Sequence, residues 1–100
     1  MAKVMVMYER PTNIDEFEKY YQEIHLPMVS EVPNLKNACI NRVLQTQNSP
    51  EPLYLIAELE FENMEVLQNA LSSTPGQKVQ NDVVNLIKFL PKPPIVCITE

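Results

Sequence analysis

The residues best suited to chemistry lie in one short cluster, Tyr20-Tyr21-x-x-x-His25-x-Pro27. His25 is the only histidine in the chain, and imidazole is the side chain that most readily changes its charge near neutral pH. Residues four apart on a helix are neighbours, so Tyr21 and His25 face the same way and both can hydrogen-bond. His25 is therefore a candidate general acid or base. Tyr21 or Tyr20 would orient it or donate a hydrogen bond to a developing oxyanion. The alternative for both tyrosines is core packing, with each hydroxyl at the boundary of the core.

Pro27 decides the local geometry of this cluster. Proline has no N–H to donate, and it disfavours helical geometry at the preceding residue, Leu26. We expect the helix to kink or break there and to leave carbonyls near residues 21–23 without partners. Two interpretations of His25 follow: it either acts in a cavity at the break or only satisfies those carbonyls.

Two polar residues on the last predicted helix are candidates for the same site. Asp82 and Asn85 are three apart, so they share one helix face. They could contact a ligand or hold His25 in one tautomer. The alternative is a solvated polar face, with Asp82 stabilising an early helical position.

The remaining ionisable pairs offer weaker candidates. Glu58 and Glu60 share a strand face and could act as paired carboxylates, but salt links to a basic residue such as Arg42 are the commoner arrangement. Cys39 lies in an apolar run and is predicted to be core, so nothing pairs it with His25 as a nucleophile. One histidine and scattered carboxylates lack the spacing of metal ligands, so no metal site is expected.

Composition excludes several classes of function. A net charge of −5 and a pI near 4.8 argue against binding to nucleic acids or anionic membranes, which require a basic face. A single glycine excludes the glycine-rich loops that hold nucleotide cofactors, and no cofactor is expected. No apolar run is long enough to span a bilayer or to act as a signal peptide. Together with two cysteines predicted to be buried free thiols, these features indicate a cytoplasmic protein.

Hydropathy patterns predict one domain, residues 1–100, with the element order β-α-β-β-α-β. Strands are predicted at 3–8, 36–47, 53–61 and 95–99, one helix from about 14 to 32, a second from 63 and a further one from 74–75. This order is typical of an α+β, ferredoxin-like fold, with one antiparallel four-stranded sheet and helices on one face. The first strand is apolar on both faces, and no second layer remains to cover it. The sequence therefore also predicts a homodimer whose sheets pack face to face.

With these elements in place, the sequence resembles the EthD family, named for ethyl tert-butyl ether degradation. The resemblance spans most of the chain. It rests on the strand at 4–8, the Tyr20–Pro27 cluster with Phe17 before it, the strand at 54–61, Asp82-x-x-Asn85 and the strand at 95–98. It implies a dimeric α+β barrel. Relatives on that scaffold include cofactor-free monooxygenases, lactone isomerases and polyketide cyclases or dehydratases, and the EthD family itself has no agreed general activity.

Two functional hypotheses follow. In the first, a small apolar or aromatic metabolite enters a pocket between the sheet and the first helix. His25 and Tyr21 catalyse proton transfer or monooxygenase-type chemistry there, and Tyr20, Asp82 and Asn85 bind or orient the ligand. In the second, the protein is not catalytic and holds a ligand for a partner oxidase in a degradative pathway. A third, plainer possibility is a structural dimer without a pocket.

Overall fold

Strands and helices follow one another in the predicted β-α-β-β-α-β order. A computed structural model describes all of residues 1–100. Its elements are β1 (Ala2–Glu9), α1 (Ile14–Tyr20), a π-helical turn (Tyr21–His25), α2 (Leu26–Val29), β2 (Asn37–Arg42), β3 (Leu53–Phe61), α3 (Met64–Ser72), α4 (Thr74–Leu86), a 3₁₀ turn (Ile87–Phe89) and β4 (Ile95–Thr99). None of its helices is both long enough and apolar enough to cross a membrane.

The four strands form one sheet in the order β2-β3-β1-β4, and every neighbouring pair is antiparallel. This is the ferredoxin-like arrangement, and the predicted fold class is confirmed. The second strand is shorter than the predicted 36–47. Only the bond from Val43 N–H to the Tyr54 carbonyl, 2.8 Å, extends its pairing beyond Arg42. After it the chain turns through a loop in which Asn48 adopts a positive φ of 60°.

The helices cover one face of the sheet. Val4 and Tyr8 of β1 are buried beneath them, and Leu55 and Phe61 of β3 lie on the same side, because alternate residues of a strand share a face. The opposite face of β1, by contrast, is half-buried rather than buried. The single chain has no second layer of its own to cover that face.

Both cysteines lie on the face that the helices leave uncovered. Cys39 is paired with Glu58, and Cys97 is paired with Met5. Both thiols are free and exposed. The prediction of buried thiols is wrong, because apolar neighbours in sequence do not show whether a second layer covers an edge strand.

Pro27 widens the helix instead of ending it. Over residues 21–25 the backbone forms a π-helical turn, in which the Leu26 N–H donates to the Tyr21 carbonyl five residues earlier. The helix then continues as α2 to Val29, with Pro27 in its first turn, where a missing N–H costs little. Of the two expected outcomes, a kink or a break, the break is wrong, and at least the Tyr21 carbonyl keeps a partner. The wider turn carries His25.

Candidate functional site

Asp82 is the centre of a hydrogen-bonded group that joins α4 to the first helical segment. The Tyr20 hydroxyl donates to Oδ1 of Asp82 over 2.6 Å, and Nδ2 of Asn85 donates to the same oxygen over 2.9 Å. Nδ1 of His25 lies 2.9 Å from Oδ2. Asp82 is only 4% exposed and His25 only 5%. Four of the residues selected from the sequence therefore meet in one cluster with a buried centre, although 57 residues separate His25 from Asp82 along the chain.

Hydrogen bonding determines the charge of this carboxylate. Burial alone raises the pKa of Asp82, but the hydrogen bonds from Tyr20, Asn85 and His25 outweigh it and lower the pKa below its ordinary value. Asp82 is therefore ionised at neutral pH and can only accept hydrogen bonds. Nδ1 of His25 must then carry the proton of that bond, which leaves a lone pair on Nε2 when the ring is neutral.

His25 also lines a cavity between the helices and the sheet. The cavity has a volume of about 90 Å³, and 15 of its 18 lining residues are hydrophobic. Its walls come from the helix-facing side of the sheet, the π-helical turn, α2 and α4. Nε2 of His25 has no hydrogen-bond partner in the protein, yet no fully buried side-chain nitrogen or oxygen lacks one. Nε2 therefore has access to open space.

Aromatic rings hold the imidazole in place. Tyr21 stacks on His25 with ring centres 5.4 Å apart and planes 19° apart, and Phe17 stacks on Tyr21 at 5.3 Å. Tyr8 meets Tyr21 edge to face at 5.7 Å. Burial raises the pKa of both Tyr8 and Tyr21, so both phenols are neutral hydrogen-bond donors at physiological pH. The negative charge of the Asp82 carboxylate raises the pKa of Tyr8 further, and ionisation of Tyr21 would do the same.

Tyr8 was not among the residues selected from the sequence. It lies near the end of β1, just before a register shift between Tyr8 and Glu9, and it lines the cavity with Val4 and Val6. The one available signal was a phenol on the same strand face as those two valines. Because β1 is apolar or aromatic from Val4 to Tyr8, the sequence pattern did not indicate which of its faces lines the cavity.

Three predicted ligand-binding residues lie behind His25 rather than on the cavity wall. Tyr20, Asp82 and Asn85 are absent from the lining, while Tyr21 and His25 belong to it. Tyr20 instead places its ring 5.9 Å from that of Phe89. In this arrangement, Asp82 and its two further donors position the imidazole.

The paired carboxylates of the sheet are ordinary ion pairs. Nζ of Lys3 lies 3.7 Å from Glu58 and 3.5 Å from Glu60. Arg42, the expected partner of these two, instead donates two hydrogen bonds to Glu18, of 3.0 and 2.6 Å. Those bonds lower the pKa of Glu18 to about 2. The predicted salt links of Glu58 and Glu60 are therefore made by Lys3 and not by Arg42, and neither carboxylate lines the cavity.

Two other candidate chemistries find no geometric support. Cys39 donates to Oδ1 of Asn41 at 3.6 Å and is exposed, whereas His25 is buried beneath the helices. No group of three or more His, Cys, Asp or Glu side chains is arranged to hold a metal ion.

The protein is therefore a small α+β domain of the ferredoxin-like class. It has an apolar cavity on the helix side of its sheet and a histidine held by a buried aspartate. The EthD domain model matches residues 10–89, and the chain belongs to the EthD family. The predicted resemblance is therefore confirmed. An uncharacterized 11.0 kDa protein in the thcB-thcC intergenic region of Rhodococcus erythropolis is 28% identical over 85 residues, which cover 85% of this chain and 82% of that protein.

Solved structures share the fold. An EthD family protein from Bacillus halodurans superposes with a TM-score of 0.86 at 26% identity, over 100% of this chain and 97% of that one. An antibiotic biosynthesis monooxygenase superposes with a TM-score of 0.63 at 15% identity, over 100% and 97% of the two chains. The latter likeness shows only that this ferredoxin-like fold is shared.

Proposed function

We propose that the protein binds a small, largely apolar metabolite in the cavity and that His25 moves a proton on it without a cofactor. One observation carries this proposal: Nδ1 of His25 is held by a buried, ionised Asp82, while Nε2 is unpartnered beside an apolar cavity. Asp82 both fixes the tautomer and stabilises the imidazolium that forms when Nε2 accepts a proton.

The reaction that suits these groups is proton removal from a carbon next to a carbonyl. Nε2 of His25 accepts the proton, and the electron pair of the broken C–H bond moves toward the carbonyl oxygen. Tyr21, a neutral phenol beside the imidazole, donates to the developing enolate. Isomerase, cyclase, dehydratase and cofactor-free monooxygenase reactions can all begin in this way, and the residues do not select among them.

A second candidate is a non-catalytic binding protein that supplies a ligand to a partner oxidase in a degradative pathway. The mostly hydrophobic lining favours it, because such a cavity holds an apolar body whether or not chemistry follows. In this role, His25 and Tyr21 only anchor the polar end of the ligand. Binding without turnover, together with stimulation of an added oxidase, is the result that this candidate predicts.

A homodimer and a cytoplasmic location form part of the proposal. The uncovered sheet face bears Met5 and Met7, both half-buried, and the edge strand β4 leaves Ile95, Val96 and Ile98 about half exposed. A second copy of the chain would bury this apolar surface and remove a bare sheet edge. The sedimentation coefficient at micromolar concentration tests the dimer.

Deuterium exchange tests the proton-transfer function. Acetophenone is a suitable probe because it joins an apolar ring to a ketone with an enolisable methyl group. In D₂O, the wild type should incorporate deuterium into that methyl group faster than buffer alone. His25→Gln should lower the rate at least about 100-fold, because general base catalysis contributes about 10²–10⁴-fold. Full exchange activity in a folded His25→Gln protein would contradict the proposed mechanism.

A further inference from the structure

The tyrosines of the chain fall into two pairs. Tyr20 donates to Asp82, and Tyr54 donates to Glu18. Tyr8 and Tyr21 are each only 1% exposed, yet neither hydroxyl bonds to a backbone carbonyl or a carboxylate. Buried tyrosine hydroxyls normally have a partner, and these two belong to the side chains that line the cavity.

The two phenols lie together, with only each other as a hydrogen-bond partner. Tyr8 approaches from the sheet and Tyr21 from the π-helical turn, and they are close enough for each to affect the pKa of the other. A hydrogen bond between them would use only one of their two protons. At least one O–H therefore remains for a ligand. Both side chains line the cavity, which is where a ligand would meet the unused hydroxyl.

The charges around the cavity favour a neutral guest. No lysine or arginine is among its lining residues. The carboxylate of Asp82 lies directly behind His25, and the charges that act on the Tyr21 hydroxyl, Arg42 and Glu18, are paired with each other. An anion bound beside the phenols would lose its hydration without gaining a cationic partner, which is costly in an apolar cavity. A carbonyl oxygen needs only a donor.

We propose that Tyr8 and Tyr21 form the oxygen-binding end of the cavity, and that its ligand is an uncharged carbonyl compound with an apolar body. This deepens the proposed function and rests on it for the reaction. A C–H bond beside the carbonyl breaks, the proton moves to Nε2 of His25, and the electron pair forms a C=C bond. The carbonyl oxygen becomes an enolate oxygen that accepts hydrogen bonds from the phenols.

Three probes of similar size separate the contributions: acetophenone has a ketone, ethylbenzene has no oxygen, and benzoate is an anion. Dissociation constants are measured by calorimetry for the wild type, Tyr8→Phe and Tyr21→Phe. Tyr54→Phe is the matched control, because its hydroxyl bonds to Glu18 outside the cavity lining. Circular dichroism checks that each variant is folded.

The wild type should bind acetophenone at least about tenfold more tightly than benzoate. Tyr8→Phe and Tyr21→Phe should each weaken acetophenone binding about three- to tenfold, the range for one neutral hydrogen bond, and leave ethylbenzene binding unchanged. Tyr54→Phe should change neither constant. Unchanged acetophenone binding in both cavity variants, equal or tighter binding of benzoate, or no acetophenone binding to the wild type would each overturn the proposal.

The exchange assay separates failure of this inference from failure of the proposed function. If exchange depends on His25 while both cavity variants bind acetophenone normally, the phenols are not the oxygen site but the proton-transfer function stands. If the phenols control binding while His25→Gln exchanges normally, the oxygen site stands and the catalytic function is wrong.

Discussion

Removal of the Tyr20 hydroxyl should destabilise the fold clearly more than removal of the neighbouring Tyr21 hydroxyl. Tyr20 donates to the ionised Asp82 over 2.6 Å, and hydrogen bonds to charged groups contribute about 1.5–3 kcal/mol. Tyr20 is partly exposed, and Asp82 keeps its bonds to Asn85 and His25. The lower limit, about 1.5 kcal/mol, is therefore expected for Tyr20→Phe. Tyr21→Phe removes a hydroxyl whose only partner is the neutral phenol of Tyr8, and it should cost about 0.5 kcal/mol, the lower limit for a neutral hydrogen bond.

Urea unfolding at pH 7, followed by far-ultraviolet circular dichroism, measures this difference. With a denaturant slope of about 1.5 kcal/mol/M, the midpoint for Tyr20→Phe should fall by about 1 M, with an unchanged slope. The midpoint for Tyr21→Phe should stay within about 0.3 M of the wild type. Both variants lose one oxygen and keep the aromatic ring, so ring packing changes little in either.

The pH dependence gives a second check on the same bond. The folded-state pKa of Asp82 lies below its ordinary value of 3.8, so its stabilisation is fully present above that value and is lost as pH falls through the folded pKa. The deficit of Tyr20→Phe should therefore stay constant from pH 7 to about pH 5 and shrink below about pH 3.8. Equal effects of Tyr20→Phe and Tyr21→Phe at pH 7 would refute the role assigned to the Asp82 cluster.

Two further predictions concern the scaffold. A Cβ on Gly76 would lie 2.1 Å from the Ala70 carbonyl oxygen, so Gly76→Ala should destabilise the fold by at least about 2 kcal/mol and lower the melting temperature by about 8–15 °C. The control Lys78→Ala, at an exposed position of the same helix, should shift the melting temperature by less than about 3 °C. Glu18 has a pKa of about 2 rather than 4.5, so its pair with the exposed Arg42, about 1 kcal/mol after solvent screening, should be lost as pH falls from about 4.5 to about 2. Glu18→Gln should remove that part of the pH dependence of the free energy of unfolding.

Helical spacing in the sequence correctly predicted two pairs of neighbours in the candidate site. Tyr21 and His25 are four apart and do stack, because the wider π-helical turn still places them on one side. The i, i+3 spacing of Asp82 and Asn85 likewise placed both on one face, and they share a hydrogen bond. The meeting of Asp82 with His25 depends on how α4 packs against the first helical segment. Spacing along the chain contains no such information.

The errors have local physical causes. Proline removes one N–H donor, and a helix can adapt either by breaking or by forming a π-helical bond, here from the Leu26 N–H to the Tyr21 carbonyl. The sequence does not distinguish these two outcomes. Tyr8 was missed because every residue from Val4 to Tyr8 is apolar or aromatic, so the pattern does not reveal which face carries the cavity. The exposure of Cys39 and Cys97 depends on layers that a strand pattern does not describe.

The ring nitrogens of His25 report whether Asp82 holds the imidazole with its proton on Nδ1 and Nε2 free for a ligand. Long-range ¹H–¹⁵N correlation spectra of the single histidine distinguish protonated from unprotonated nitrogens. They are recorded at a pH at which the ring is neutral, because only one of the two nitrogens then carries a proton. Nδ1 should carry the proton donated to Asp82, and the unprotonated Nε2 signal should shift when acetophenone is added. A proton on Nε2 with a bare Nδ1, or an Nε2 signal that ignores acetophenone at saturating binding, would contradict the account.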